Sequence, residues 1–259
     1  MSSAVKPILA VVGAVASLAV GAGIGAYVVH GRDTNRTNQI SAIRAADAAQ
    51  LAKLTTQVKA GARSDGSHYG SLFAYLPPMP ADWIIGPEVG TSGNNNFISG
   101  AQITADVQSS LLNVPKSDMS STESTLADLH LQGVAVRSML NSTDSLQLDF
   151  TLLQLDPTQA SADQKSLGVL VDGLGFRQGA SVPGYPAATC VLPPGLGSDS
   201  IDAMVCIASY GDVEAIVQAE GTAPLDQNTT VQMVAQQLDR LKSNQTLTTA
   251  SSDQGNENE

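Results

Sequence analysis

Aromatic side chains are scarce in this 259-residue chain, at 4% of positions, and charged ones make up only 14%. Any core is therefore aliphatic. Hydrophobic residues reach 42%, which excludes a wholly disordered chain. Two cysteines exclude a dense disulfide scaffold, and the composition excludes a collagen. Catalytic signatures are missing too. There is no HExxH, GxSxG or P-loop pattern, no CxxC pair, and no aspartate run with EF-hand spacing. Gly173-Leu174-Gly175 matches only a fragment of a dinucleotide loop: it follows an expected helix rather than a strand and lacks the third glycine. No catalytic, cofactor-binding or metal-ligating residue is singled out, and no cofactor is expected.

Basic charge is also short, and unevenly placed. Residues 1–67 hold seven basic residues and three acids, a net +4; residues 68–243 hold six and eighteen, a net −12; the tail 244–259 adds −3. An acidic body repels polyphosphate, so nucleic acid is not an expected partner. The basic stretch borders the one long apolar segment, where it can meet anionic lipid headgroups.

That segment, Pro7 to Val29, carries no charge. At 1.5 Å per residue it spans roughly 34 Å, enough for a bilayer core of about 30 Å and longer than a signal-peptide apolar region. The expectation is an uncleaved signal anchor, residues 7–29, after a short tail, residues 1–6; the alternative is cleavage near Gly25-Ala26. Arg32, Arg36 and Arg44 after the span favour a cytoplasmic C-terminus by local charge. The cysteine pair favours the opposite side, and the C-terminal domain is expected to be extracytoplasmic on a single-pass membrane protein. Gly13, Ser17, Gly21 and Gly25 share one helix face, which would let a second copy pair as a homodimer; a span this rich in Gly and Ala also shows such spacing by chance.

Residues 30–67 are expected to form a juxtamembrane helical stalk and linker, with Ile40, Ile43, Leu51, Leu54 and Val58 at helical spacing and Gly61 as a C-cap. A body over 68–243 follows. Trp83 and two isoleucines should pack at the core edge, and Gly93-Asn94-Asn95-Asn96 should turn. Helices are expected over 101–113 and 122–132. Val134, Val136, Met139 and Leu140 suggest a strand, and Leu146, Leu148, Phe150 and Leu152 alternate with polar residues in the clearest period-two run of the chain. A helix over 158–172 should follow Asp156-Pro157. Strands over 186–193, 201–209 and 213–219 and a helix over 228–242 repeat that order. The expected fold is α+β: an antiparallel sheet with helices on one face and an internal ββα duplication. The tail 244–259 should be disordered.

Cys190 and Cys206 fall in neighbouring expected strands, which favours a structural disulfide. Two buried thiols are the alternative; a metal site lacks ligands. The three histidines look structural. His68 is expected in a loop and His130 packed in an apolar stretch. Most aspartates have local roles: Asp149 points outward on a strand, Asp156 and Asp226 sit near helix starts, and Asp212 serves a turn.

Val182-Pro183-Gly184-Tyr185-Pro186, Cys190, Cys206, Gly211-Asp212-Val213-Glu214 and Gln236-Gln237-Leu238-Asp239-Arg240-Leu241 resemble the C-terminal half of membrane-anchored or secreted actinobacterial proteins. More distantly, the chain is similar to the extracytoplasmic sensor domains of mycobacterial serine/threonine kinases. That resemblance implies a single span joined to a disulfide-containing α+β domain; it carries across no catalytic residue. Three functions are weighed: a non-catalytic binding or sensor-like domain for an envelope ligand or protein, an envelope hydrolase using paired carboxylates, and an assembly protein of the cell envelope.

Overall fold

The computed structural model describes residues 60–103, 130–141, 145–156, 176–193 and 201–247, with Thr143 and a few helical positions between 42 and 53. The expected membrane helix with Gly13, Ser17, Gly21 and Gly25, most of the expected helices over 101–113 and 122–132, the helix over 158–172, and the tail from 248 lie outside the described residues. Among the described residues, no helix is long and apolar enough to cross a membrane.

Two short strands come first, β1 (Gly61–Ala62) and β2 (His68–Tyr69), paired with each other. The other eight form one antiparallel sheet: β3 (Trp83–Ile85), β4 (Asn96–Ser99), β5 (Gly133–Asn141), β6 (Leu146–Gln154), β7 (Arg177–Gln178), β8 (Thr189–Leu192), β9 (Ile201–Tyr210) and β10 (Val213–Thr222). Their order is β3-β5-β6-β10-β9-β8-β7, with β4 sharing the outer edge of β5 with β3. The hairpins β5–β6 and β9–β10 therefore lie back to back through β6 and β10, as two copies of a ββα unit would if they paired through their second strands. One following helix is described, α1 (Gln227–Ser243).

Period-two alternation decides what each face buries. Leu146, Leu148, Phe150 and Leu152 of β6 and Val213, Ala215, Val217 and Ala219 of β10 point to one face and join the main core. There α1 lies across β9 and β10, and a 3-10 helix over Leu72–Tyr75 packs on β5 and β6. Val231, Val234, Leu238 and Leu241 of α1 are buried on this face, worth roughly 2 kcal/mol apiece. Asp226 starts the helix: its Oδ1 accepts from Thr229 N at 3.0 Å. Asn244, in the left-handed region at φ 56°, ends it.

The opposite face is also apolar in part. Val134, Val136, Leu153, Ile207 and Ile216 form a second, smaller cluster with Ile103, which belongs to a helical turn starting at Gly100. Cover on one face alone, as expected, is too little, because alternate positions of four strands carry aliphatic side chains both ways.

The body also extends past 68–243 at both ends. Gly61 is a strand residue paired with Tyr69, not a helix cap, and Thr246 is buried beyond α1. The Gly93–Asn96 turn does more than reverse the chain. Asn94 Nδ2 donates to Gly86 O at 2.8 Å and Ser138 O at 3.1 Å, and its Oδ1 accepts from Ser138 N at 2.8 Å, so one side chain imitates a strand at the edge of β5.

Candidate functional site

Cys190 and Cys206 stand directly opposite on β8 and β9 and are joined in a disulfide, with Cα atoms 4.0 Å apart. Both are buried, at 5% and 0% exposure, so the bond sits in the core rather than at a reactive surface.

Next to it lies a cleft of about 500 Å³, formed by residues between 178 and 191 with Cys190 in its wall. That size lies within the range of small-molecule sites. Its frame is tied to the body at several points. Gly179 N donates to Cys190 O at 2.9 Å, Ala180 N to Gln227 Oε1 at 3.0 Å, and the Tyr185 hydroxyl to Asp239 Oδ1 at 2.6 Å. Val182 anchors the loop in the main core. Burial, then the Asp239 carboxylate, push the Tyr185 phenol above its usual range. Among the described residues, no acid, histidine, lysine or arginine lines the cleft. Its polar groups are backbone amides and carbonyls, the glutamine amide, and the hydroxyls of Ser181, Thr189 and Tyr185. Such a surface can hold and orient a neutral ligand.

The sequence missed a buried histidine–carboxylate pair. His68 lies in β2, not a loop, and is 1% exposed. Its Nδ1 contacts Asp212 Oδ1 at 2.7 Å, and its Nε2 faces Leu241 O at 3.2 Å. His68 N also donates to Asp212 Oδ1 at 2.9 Å, and Gln154 Nε2 donates to Asp212 Oδ2 at 2.8 Å and to His68 O at 3.0 Å. Burial raises the Asp212 carboxyl, but the hydrogen bonds from His68 and Gln154 outweigh it and hold the group below its usual value. Both ring nitrogens face oxygen acceptors, so both contacts are hydrogen bonds when the ring carries both protons. The pair is buried, at 1% and 3% exposure, and it fastens three segments together. Asp212 thus has a second role beyond its hairpin turn. No local pattern announces this pairing, since its members are 144 residues apart.

A carboxylate pair sits on the second sheet face. Asp149 of β6 lies opposite Gln218 of β10, two positions from Glu220. Burial raises Asp149 against the nearby Ser138 hydroxyl and the Gln147 amide, which donates to both carboxylate oxygens at 3.0 Å; burial, then the Asp149 charge, raise Glu220. Asp149 is therefore half-buried rather than free on the surface. His130, expected to pack, is exposed at φ 47°. Among the described residues, no group of three or more His, Cys, Asp and Glu side chains is placed to hold a metal.

No protein-family model matches the chain, and no curated protein matches it. Among solved structures it is similar to the extracellular domain of PknH from Mycobacterium tuberculosis, with 15% identity and a TM-score of 0.35. The match covers 44% of this chain and 66% of that domain, just under two thirds of its length. A similarity of that size specifies neither a fold nor an activity.

Proposed function

We propose that this protein is a non-catalytic, sensor-like binding domain outside the cytoplasm, held at the membrane by residues 7–29, with the cleft over 178–191 as its ligand site. The observation that carries the reading is the cleft itself: a frame beside the disulfide, lined by hydrogen-bonding groups, with no acid, histidine, lysine or arginine among its described lining residues. The ligand class is a small, uncharged envelope component such as a saccharide or peptide fragment. The buried disulfide supports an oxidising compartment. The test is thermal unfolding of the full chain in detergent against neutral cell-wall saccharides and peptides. A ligand raises the melting temperature in proportion to the logarithm of its concentration, and Ser181→Trp, which fills the cleft from an exposed position, abolishes the rise. No rise across the panel, or an equal rise in the variant, refutes the reading.

A second reading, a carboxylate hydrolase, is favoured only by Asp149 and Glu220, whose raised protonation suits an acid–base pair. Turnover of a glycoside lost in both Asp149→Asn and Glu220→Gln would establish it.

A further inference from the structure

Six basic residues lie between 68 and 243, and two of them, Arg137 and Arg240, are buried at 1% and 6% exposure. They approach each other from facing elements, Arg137 on the inner face of β5 and Arg240 on the sheet-facing side of α1. Arg137 is engaged. Its guanidinium donates to Pro77 O and Asn95 Oδ1 and lies 5.8 Å over the Phe73 ring. Arg240 is not: its Nε and Nη2 are buried with no hydrogen-bond partner among the described residues. One turn earlier on the same face, Gln237 donates Nε2 to Tyr75 O at 3.0 Å, while its Oε1 is buried without a donor among the described residues.

A cation taken out of water needs an anion or a full set of acceptors. The end of α1 favours positive charge through its dipole, but its carbonyls are already used. Arg240 O accepts from Gln245 N at 2.9 Å, and Leu241 O accepts from Asn244 N and faces His68 Nε2. Burial, then the neighbouring Arg137, pull the Arg240 guanidinium down to about 10, so it stays charged at neutral pH. A single water could satisfy donors there; it would not balance the charge.

We propose that Arg240, with Arg137 beside it, is the receptor for an oxyanion, a phosphate or carboxylate group of a small ligand, seated between α1 and the segment 72–77. The guanidinium fork suits two-point binding of either group. This site is separate from the 178–191 cleft, and the ligand class differs from the neutral one proposed there.

The test uses thermal unfolding of the full chain in detergent with inorganic phosphate or citrate, against chloride at matched ionic strength. One of the two oxyanions should raise the melting temperature by several degrees at saturation, and the one saturating at lower concentration identifies the group. Arg240→Met removes an uncompensated buried charge. It should melt higher than wild type without added anion and lose the anion response. Arg240→Lys, which keeps the charge but not the fork, should need at least ten times more anion. Ser181→Trp should leave the response intact. No oxyanion-specific rise in wild type, an equal rise in Arg240→Met, or an unchanged anion requirement in Arg240→Lys overturns the proposal. Should Arg240→Met fail to fold, the Lys variant and the chloride control decide it alone.

Discussion

Asp212→Asn isolates what the buried histidine–carboxylate pair contributes. The substitution keeps the side-chain volume and removes one charge and one acceptor. Three donors converge on the carboxylate: His68 N at 2.9 Å, His68 Nδ1 at 2.7 Å and Gln154 Nε2 at 2.8 Å. An amide supplies one accepting oxygen, and its NH₂ must then face a donor. Asp212 is 3% exposed, so water does not replace the lost contacts. Removing one partner of a buried pair costs about 3–5 kcal/mol, and the retained amide oxygen brings the expectation to the lower end, about 3 kcal/mol. For a domain of this size that is roughly 6–12 °C in melting temperature. Trp83, the single tryptophan and 5% exposed, reports unfolding in urea by fluorescence. The midpoint should fall with the slope unchanged. The pH dependence gives an independent check. The native Asp212 carboxyl titrates below its usual 3.8, so the folded state holds the ionised form more strongly than the unfolded state does. Its stabilisation is complete above 3.8 and is lost as the pH falls through the native value; the asparagine variant lacks that acid-side loss. A destabilisation under about 1 kcal/mol, or an acid limb identical to wild type, would refute the reasoning.

Other outcomes follow from the same geometry. Gly211 sits at φ +61°, and an added Cβ would lie 2.0 Å from Gly66 O, so Gly211→Ala should cost at least about 2 kcal/mol in urea unfolding. Replacing Cys190 and Cys206 together by serine opens a loop with sequence separation 16 and should lower stability by about 3 kcal/mol; in intact cells both wild-type cysteines should resist alkylation until reduced. Asp226→Ala removes the α1 cap and should cost about 1 kcal/mol. Asp149 and Glu220 titrate above their usual 3.8 and 4.5, so their ionisation opposes folding above those values and ceases to matter below them. Asp149→Asn and Glu220→Gln should therefore stabilise at pH 7, with the gain vanishing in acid.

The central sheet was readable because its information is local. The alternation over Leu146–Leu152, the tight turn at Gly211-Asp212 and the aspartate before α1 each act within a few residues of themselves. The disulfide was readable because β8 and β9 are neighbours along the chain as well as in space. What escaped depends on distant partners. His68 sits in a two-residue strand, too short for a periodic signal, and its meaning comes from Asp212 and Leu241. The second apolar face was hidden by polar residues alternating at one end of β6 while Leu153 continued it at the other. The cleft is made by successive turns over 181–188, which have no pattern beyond their glycine and prolines. Arg240 reads in sequence as an ordinary basic residue of a last helical turn; only burial without a partner sets it apart.

His68 joins the arm arriving from residue 60, the tip of the β9–β10 hairpin and the final turn of α1 at one imidazole. A mechanical load applied to the N-terminal side would be shared there with the last helix before it could peel the sheet apart strand by strand. Loosening that one knot would free the arm and the last helix together.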